Sequence, residues 1–168
     1  RSGISEVRIE GTACASSRDL LEDIRLETRR RGDKLEVVAR MPERSGWGSW
    51  TARLDLMIEV PTGLELSVED GSGSATFARI GALQINDGSG EIEIRDASGS
   101  VSVEDGSGEI DIKGVDGDIR VTDGSGSIHI REVAGSVNIH ADGSGEITIR
   151  DRSEEHTSEL QSQFRISY

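Results

Sequence analysis

Asp87-Gly88-Ser89-Gly90-Glu91-Ile92-Glu93-Ile94-Arg95-Asp96-Ala97-Ser98-Gly99-Ser100-Val101-Ser102-Val103-Glu104-Asp105-Gly106-Ser107-Gly108 is the stretch on which the fold turns. It opens and closes on Asp-Gly-Ser-Gly, with a weaker turn, Ser98-Gly99, halfway. Between the turns, Glu91–Arg95 and Ser100–Glu104 alternate polar with β-branched residues. Period-two alternation puts every second side chain on one face, the pattern of a strand with one buried side. The unit is strand, turn, strand, turn.

The unit repeats. Asp-Gly-Ser-Gly returns at 70–73, 87–90, 105–108, 123–126 and 142–145, at spacings of 17, 18, 18 and 19, and the weak turn returns at Asp116-Gly117 and Ala134-Gly135. Near-identical units satisfy their backbone groups most simply by stacking in register, each strand pairing with its equivalent about 4.8 Å along the axis. The expected fold is therefore all-β: a single-stranded parallel β-helix, or solenoid, with two-strand coils of ~18 residues. Ile92, Ile94, Ile110, Ile112, Ile128, Ile130, Ile147 and Ile149 should line one wall. Leu83, Ile85, Val101, Val103, Ile119, Val121, Val137 and Ile139 should line the other, with Ala97, Val115 and Val133 plugging the weak corner. The competing arrangement is an antiparallel up-and-down sandwich, but hairpins would not require two turn types to alternate so strictly.

Before the repeat the pattern changes. Glu6–Glu10 reads as a strand, Ser16–Asp23 as a short helix capped by Ser16 or Ser17, and Ile24–Arg30 with Lys34–Met41 as a hairpin turning at Arg31-Gly32-Asp33. After the loop Arg44–Ser49 comes a longer strand, Thr51–Val60, and then the turn Pro61-Thr62-Gly63. Residues 1–60 are expected to be a β-rich cap that begins the same sheet system, since a solenoid end is an unpaired edge. Residues 61–151 are the solenoid.

Composition agrees with a narrow aliphatic core: aromatics are 3% of the chain, and Gly reaches 21 residues against 2 Pro. The net charge of −13 is uneven. Residues 1–60 hold 11 basic and 11 acidic side chains, whereas residues 61–151 hold 6 and 18. So acidic a repeat repels phosphate backbones, and no nucleic-acid partner is expected. No apolar run is long enough for a membrane-spanning helix. The single Cys14 excludes an internal disulfide and reads as a small, partly buried hydrophobe, with a reactive or lipid-modified thiol as the alternative.

Few residues are candidates for a site. The turn aspartates Asp70, Asp87, Asp105, Asp123 and Asp142 should form a column, each accepting hydrogen bonds from its own turn amides and staying wet. A ladder of bound cations such as Ca²⁺ is the sharper alternative, because neighbouring carboxylates repel. Outward-facing Arg95, Lys113, Arg131 and Arg150 should form one column and Glu91, Glu109 and Glu146 another, which reads as a solvated face with offset charge pairs. Turns this short build no cleft, so no catalytic residues are assigned and the chain is expected not to be an enzyme. His129 and His140 should project from opposite sheets and cannot cooperate. Trp47 and Trp50, in Gly46-Trp47-Gly48-Ser49-Trp50, usually would fold over a core edge; they are also the best candidates for contact with a partner.

Residues 152–168 stand apart. The eleven residues Arg152–Ser162 resemble a translation of a common sequencing-adapter string, and Ile166-Ser167-Tyr168 fits the same string's continuation beyond its index. Read so, the tail is an artefact, disordered or loosely helical, and His156 carries no function.

Glu6–Gly11, Leu35–Pro42 with the Gly-Trp loop after it, Ile58-Glu59-Val60-Pro61 and the Gly-Ser-Gly/Val-x-Val repeats together resemble the bacterial adhesin-like β-strand-repeat family, a domain of unknown function related to the head-GIN domains. The resemblance covers about residues 4 to 151. It implies a right-handed β-helix exported to the envelope (periplasmic, secreted or cell-surface) and no catalytic residues. The expected function is a monomeric, non-catalytic scaffold binding a protein or glycan surface. The rivals are a self-assembling element like the bactofilin filaments and a Ca²⁺-stabilised repeat protein.

Overall fold

The computed structural model describes residues 5–42, 50–141 and 144–152. The chain divides into two compact units, residues 4–60 and residues 61–168.

The first unit holds β1 (Arg8–Ala15), α1 (Arg18–Asp23), β2 (Arg25–Arg31), β3 (Lys34–Arg40) and β4 (Ala52–Glu59). β1 pairs antiparallel with β4, setting Ile9 opposite Ile58 and Ala13 opposite Leu54. β2 and β3 form the expected hairpin across Gly32-Asp33, with Gly32 at φ 65° supplying the left-handed step that a two-residue turn needs. Ser17 caps α1, its Oγ accepting from the Leu20 amide at 3.3 Å. Among the described residues these strands form two two-stranded sheets, β1 with β4 and β2 with β3.

The second unit runs β5 (Leu66–Asp70), β6 (Gly73–Ile80), β7 (Leu83–Asp87), β8 (Gly90–Ala97), β9 (Val101–Asp105), β10 (Gly108–Val115), β11 (Ile119–Asp123), β12 (Gly126–Val133), β13 (Val137–Ala141) and β14 (Ile147–Arg152). Odd and even strands make two separate five-stranded sheets, in the orders β13-β11-β9-β7-β5 and β14-β12-β10-β8-β6. Every ladder is parallel, and equivalent residues of successive units face each other, as in Ile92, Ile110, Ile128 and Ile147. Parallel pairing excludes the up-and-down sandwich. The fold is a β-solenoid of ~18-residue coils.

The core is the set of aliphatic residues expected at the inward positions of β7 to β12, each almost completely buried. It reaches one coil further back than expected, through Leu66, Val68, Ala75 and Phe77. At the other end β13 and β14 are the edge strands among the described residues. There Val137, Ile139 and Ile147 are only half-buried, and Ile149 is 49% exposed, not the core residue expected. A side chain in an outermost coil is covered on one side only.

The weak corner depends on a reversal of backbone hand. Ala97, Val115 and Val133 fall three residues after Ile94, Ile112 and Ile130, so alternation alone would point them outward. One left-handed residue resets the phase: Arg79, Asp96 and Glu132 lie at φ 55–56°, and Gly114 at 71°. Only Gly takes that conformation without cost. Glu132→Gly is therefore expected to raise stability by about 0.5–1 kcal/mol, even though it gives up an exposed Lys113–Glu132 ion pair worth a few tenths. Gly114→Ala should lower stability by about 1 kcal/mol. Urea melts of the two variants should move in opposite directions; equal shifts would contradict the assignment.

Candidate functional site

The outward faces of the solenoid are its most regular surfaces. On the even-numbered sheet Arg95, Lys113, Arg131 and Arg150 occupy equivalent ladder positions, as expected. Glu91 faces Glu109, and Ser127 takes the next place. Glu93, Asp111, His129 and Thr148 form a parallel column between these two. Charge is balanced locally: Arg131 grips Asp111 through both carboxylate oxygens at 2.7 and 2.9 Å, Arg95 pairs with Glu93, and Lys113 with Glu132 at 3.2 Å. The Asp111 carboxylate raises the pKa of Arg131 further. On the odd-numbered sheet the outward columns carry Gln84, Ser102, Arg120 and Asn138, and Asn86, Glu104, Thr122 and His140. His129 and His140 do lie on different sheets, and the nearest acid to His129 is Glu109 at 4.0 Å.

The two corners differ in chemistry. At the weak corner Asp118 Oδ1 accepts from both the amide and the hydroxyl of Ser136 one coil on, at 2.8 and 2.7 Å. Those two donors hold its carboxyl below the usual aspartate value. At the strong corner Asp70, Asp87, Asp105 and Asp123 stand in register. The Ser72, Ser107 and Ser125 amides donate to Oδ1 of Asp70, Asp105 and Asp123 at 3.4, 3.3 and 3.1 Å, which is the local turn bonding expected of Asp.

These carboxylates are not wet, however. Asp87, Asp105 and Asp123 are 3%, 7% and 3% exposed. The period that buries Leu83 and Ile85 also turns Asp87 inward, so the sequence carried the signal; reading Asp as a turn residue instead of the strand's last residue missed it. Asp142 lies outside the described residues, and the ladder places Ala141 next to Asp123. Among the described residues no three His, Cys, Asp or Glu side chains gather as a metal site.

Trp50 is half-buried beside β4, and Trp47 lies outside the described residues. Cys14 is exposed on β1 opposite Arg53, not partly buried: Ala13 and Ala15 take the covered positions on either side. A hollow of about 70 Å³ is lined by Arg8, Glu10, Met57 and Glu59. Small-molecule sites ordinarily measure ~300–1,000 Å³. No described helix is long and apolar enough to cross a membrane. The artefact reading of the tail concerns residues of which 153–168 lie outside the described ones.

No curated protein and no solved structure matches the chain. A family model does, over residues 9–164, so that it spans both the strands before the repeat and the repeat itself. A two-sheet stack of near-identical coils joined by Gly turns is also what that family's description, Toastrack, brings to mind. The chain belongs to the Toastrack DUF4097 family, a domain of unknown function built from β-strand repeats.

Proposed function

We propose that this protein is a non-catalytic scaffold of the cell envelope whose flat outer faces bind a protein or glycan surface. One observation carries the reading: the outward side chains of each sheet stand in registered columns of polar and charged groups, joined by turns of a few residues. Such a face offers one chemical motif repeated every coil, suited to a flat or repetitive partner more than to a single small molecule. The envelope location is inferred from the resemblance to exported adhesin-like repeats. Trp47 and Trp50 are the proposed anchor points of the first unit, because aromatic residues bring large contact area at low entropic cost.

The test is co-sedimentation of the purified chain with isolated bacterial cell walls, alongside fractionation of cells expressing the full-length gene. Saturable retention, weakened several-fold by Trp50→Ala, is expected. A product confined to the cytosol, or walls that retain nothing, would defeat the proposal.

The exposed edges favour one alternative. Among the described residues β13 and β14 are the last strands of their ladders, with Ile149 half in solvent, as coils stacking end to end would need. Concentration-dependent filaments in sedimentation velocity would support that assembly, and a discrete monomer would remove it. Calcium-stabilised folding predicts a markedly lower melting temperature in chelator; an unchanged one disposes of that reading.

A further inference from the structure

The strong corner holds buried charge that the scaffold reading leaves unused. Asp105 on β9 has Asp87 of β7 on one side and Asp123 of β11 on the other. The facing sheet contributes Ile92, Ile110 and Ile128 and their apolar ladder partners, and among the described residues no Lys, Arg or His occupies an inward position of the coils. Both carboxylate oxygens of Asp87, and Oδ2 of Asp105, are buried without a hydrogen-bond partner. Three ionised carboxylates cannot sit cheaply side by side away from water. Something must neutralise them.

A cation is the poorer fit. Calcium takes six to eight oxygens at ~2.3–2.6 Å. The backbone carbonyls of Asp87 and Asp105 already accept from the Gly106 and Gly124 amides, and among the described residues no three acidic side chains converge on one point. A proton needs no cavity and only two oxygens that face each other.

We propose that the Asp87–Asp105–Asp123 column is a proton-binding site, in which a protonated carboxyl of one coil donates its O–H to an orphaned oxygen of the next. Burial, and then the neighbouring Asp87 and Asp123 charges, push the Asp105 carboxyl above its ordinary value of 3.8, against the amides of Ser107 and Gly106. Burial does the same at Asp123, against the Ser125 and Gly124 amides. A folded pKa above the unfolded one means that protonation favours the folded chain. Stability then climbs as pH falls through the raised values and levels off below 3.8. Asp118 works in the other direction, and its contribution is lost only below 3.8, so the two windows do not overlap.

The experiment is thermal melting of the full chain at about pH 7.5 and about pH 4, with Asp105→Asn and Asp87→Asn beside the wild type. The wild-type Tm should rise by about 5 °C on acidification. Asp105→Asn should melt at least as high as wild type at the upper pH and lose most of that rise. Parallel pH dependences in wild type and variant would overturn the proposal. So would calcium chloride raising the wild-type Tm at the upper pH while leaving the variant unmoved, since a cation would then hold the site. Carboxyl-carbon NMR titration of the folded wild type reads Asp105 and Asp123 without any substitution. Midpoints at or below the ordinary aspartate value would equally sink it.

Discussion

Gly108→Ala is expected to destroy the solenoid or cost it on the order of 4 kcal/mol, a very large effect for a single methyl. A Cβ at Gly108 would lie 1.7 Å from the carbonyl oxygen of Gly90, the equivalent residue one coil back. The φ of 151° is one that side chains rarely adopt. Relieving the overlap means separating two coils by more than an ångström, and with them the ladder bond from the Gly90 amide to the Ser107 carbonyl at 3.0 Å. Gly90 and Gly126 meet the same obstacle at the same distance, so the second Gly of Asp-Gly-Ser-Gly is the point of closest approach between coils, repeated along the axis. Gly32→Ala separates sterics from strain. Gly32 also has positive φ, but nothing lies within 4 Å of its missing Cβ, and the substitution should cost only about 1 kcal/mol. Circular dichroism during urea titration distinguishes the two. A Gly108→Ala protein melting like Gly32→Ala would mean that the coils are not stacked at this spacing.

That spacing is why so much of the architecture was legible. The Asp-Gly-Ser-Gly period fixes the coil, and Ile-x-Ile or Val-x-Val between turns fixes which face is buried. In-register stacking then follows from backbone hydrogen-bond satisfaction. What escaped was local. Nothing in Arg79, Asp96 or Glu132 advertises a left-handed residue; only Gly114 at the equivalent place does, and one glycine in four units is a faint signal. The 19-residue last spacing looked like one more repeat, yet the ladder sets Ala141 beside Asp123. Before the repeat the β2–β3 hairpin was legible from its Gly-Asp turn, but the pairing of β1 with β4 was not, since a short polar-apolar alternation fits a two-stranded ribbon and a sheet edge equally well.

The candidate site was less legible for a physical reason. Its outward columns were predictable as geometry, because a strand's exposed positions follow from its buried ones. Specificity for a partner is not set by geometry of that kind. It comes from which side chains occupy the columns, and here neighbouring charges largely neutralise one another, as Arg131 and Asp111 do. At long range the excess of acidic side chains on residues 61–151, 18 against 6 basic, only repels anions. Recognition on these columns has to come from shape and short-range contact.

Stacking also dictates how much a core methylene is worth at each place along the axis. Ile94, Ile112, Ile130 and Ile149 occupy one column. Ile112 has a coil on both sides and is completely buried, while Ile149 stands on the edge strand. Ile112→Ala should therefore cost about 3–4 kcal/mol, the transfer of the lost atoms plus a cavity that two rigid neighbours prevent from collapsing. Ile112→Val should cost about 1 kcal/mol. Ile149→Ala, removing the same atoms from a half-solvated position, should cost about 1 kcal/mol or less. In a quasi-one-dimensional array each coil is held mainly by its neighbours, so the interior substitution weakens two interfaces and the terminal one only one. Chemical denaturation of the three variants measures the gradient directly. Equal losses at Ile112 and Ile149 would mean that the last strand is covered as completely as the middle of the stack, and that its ladder does not end where β14 does.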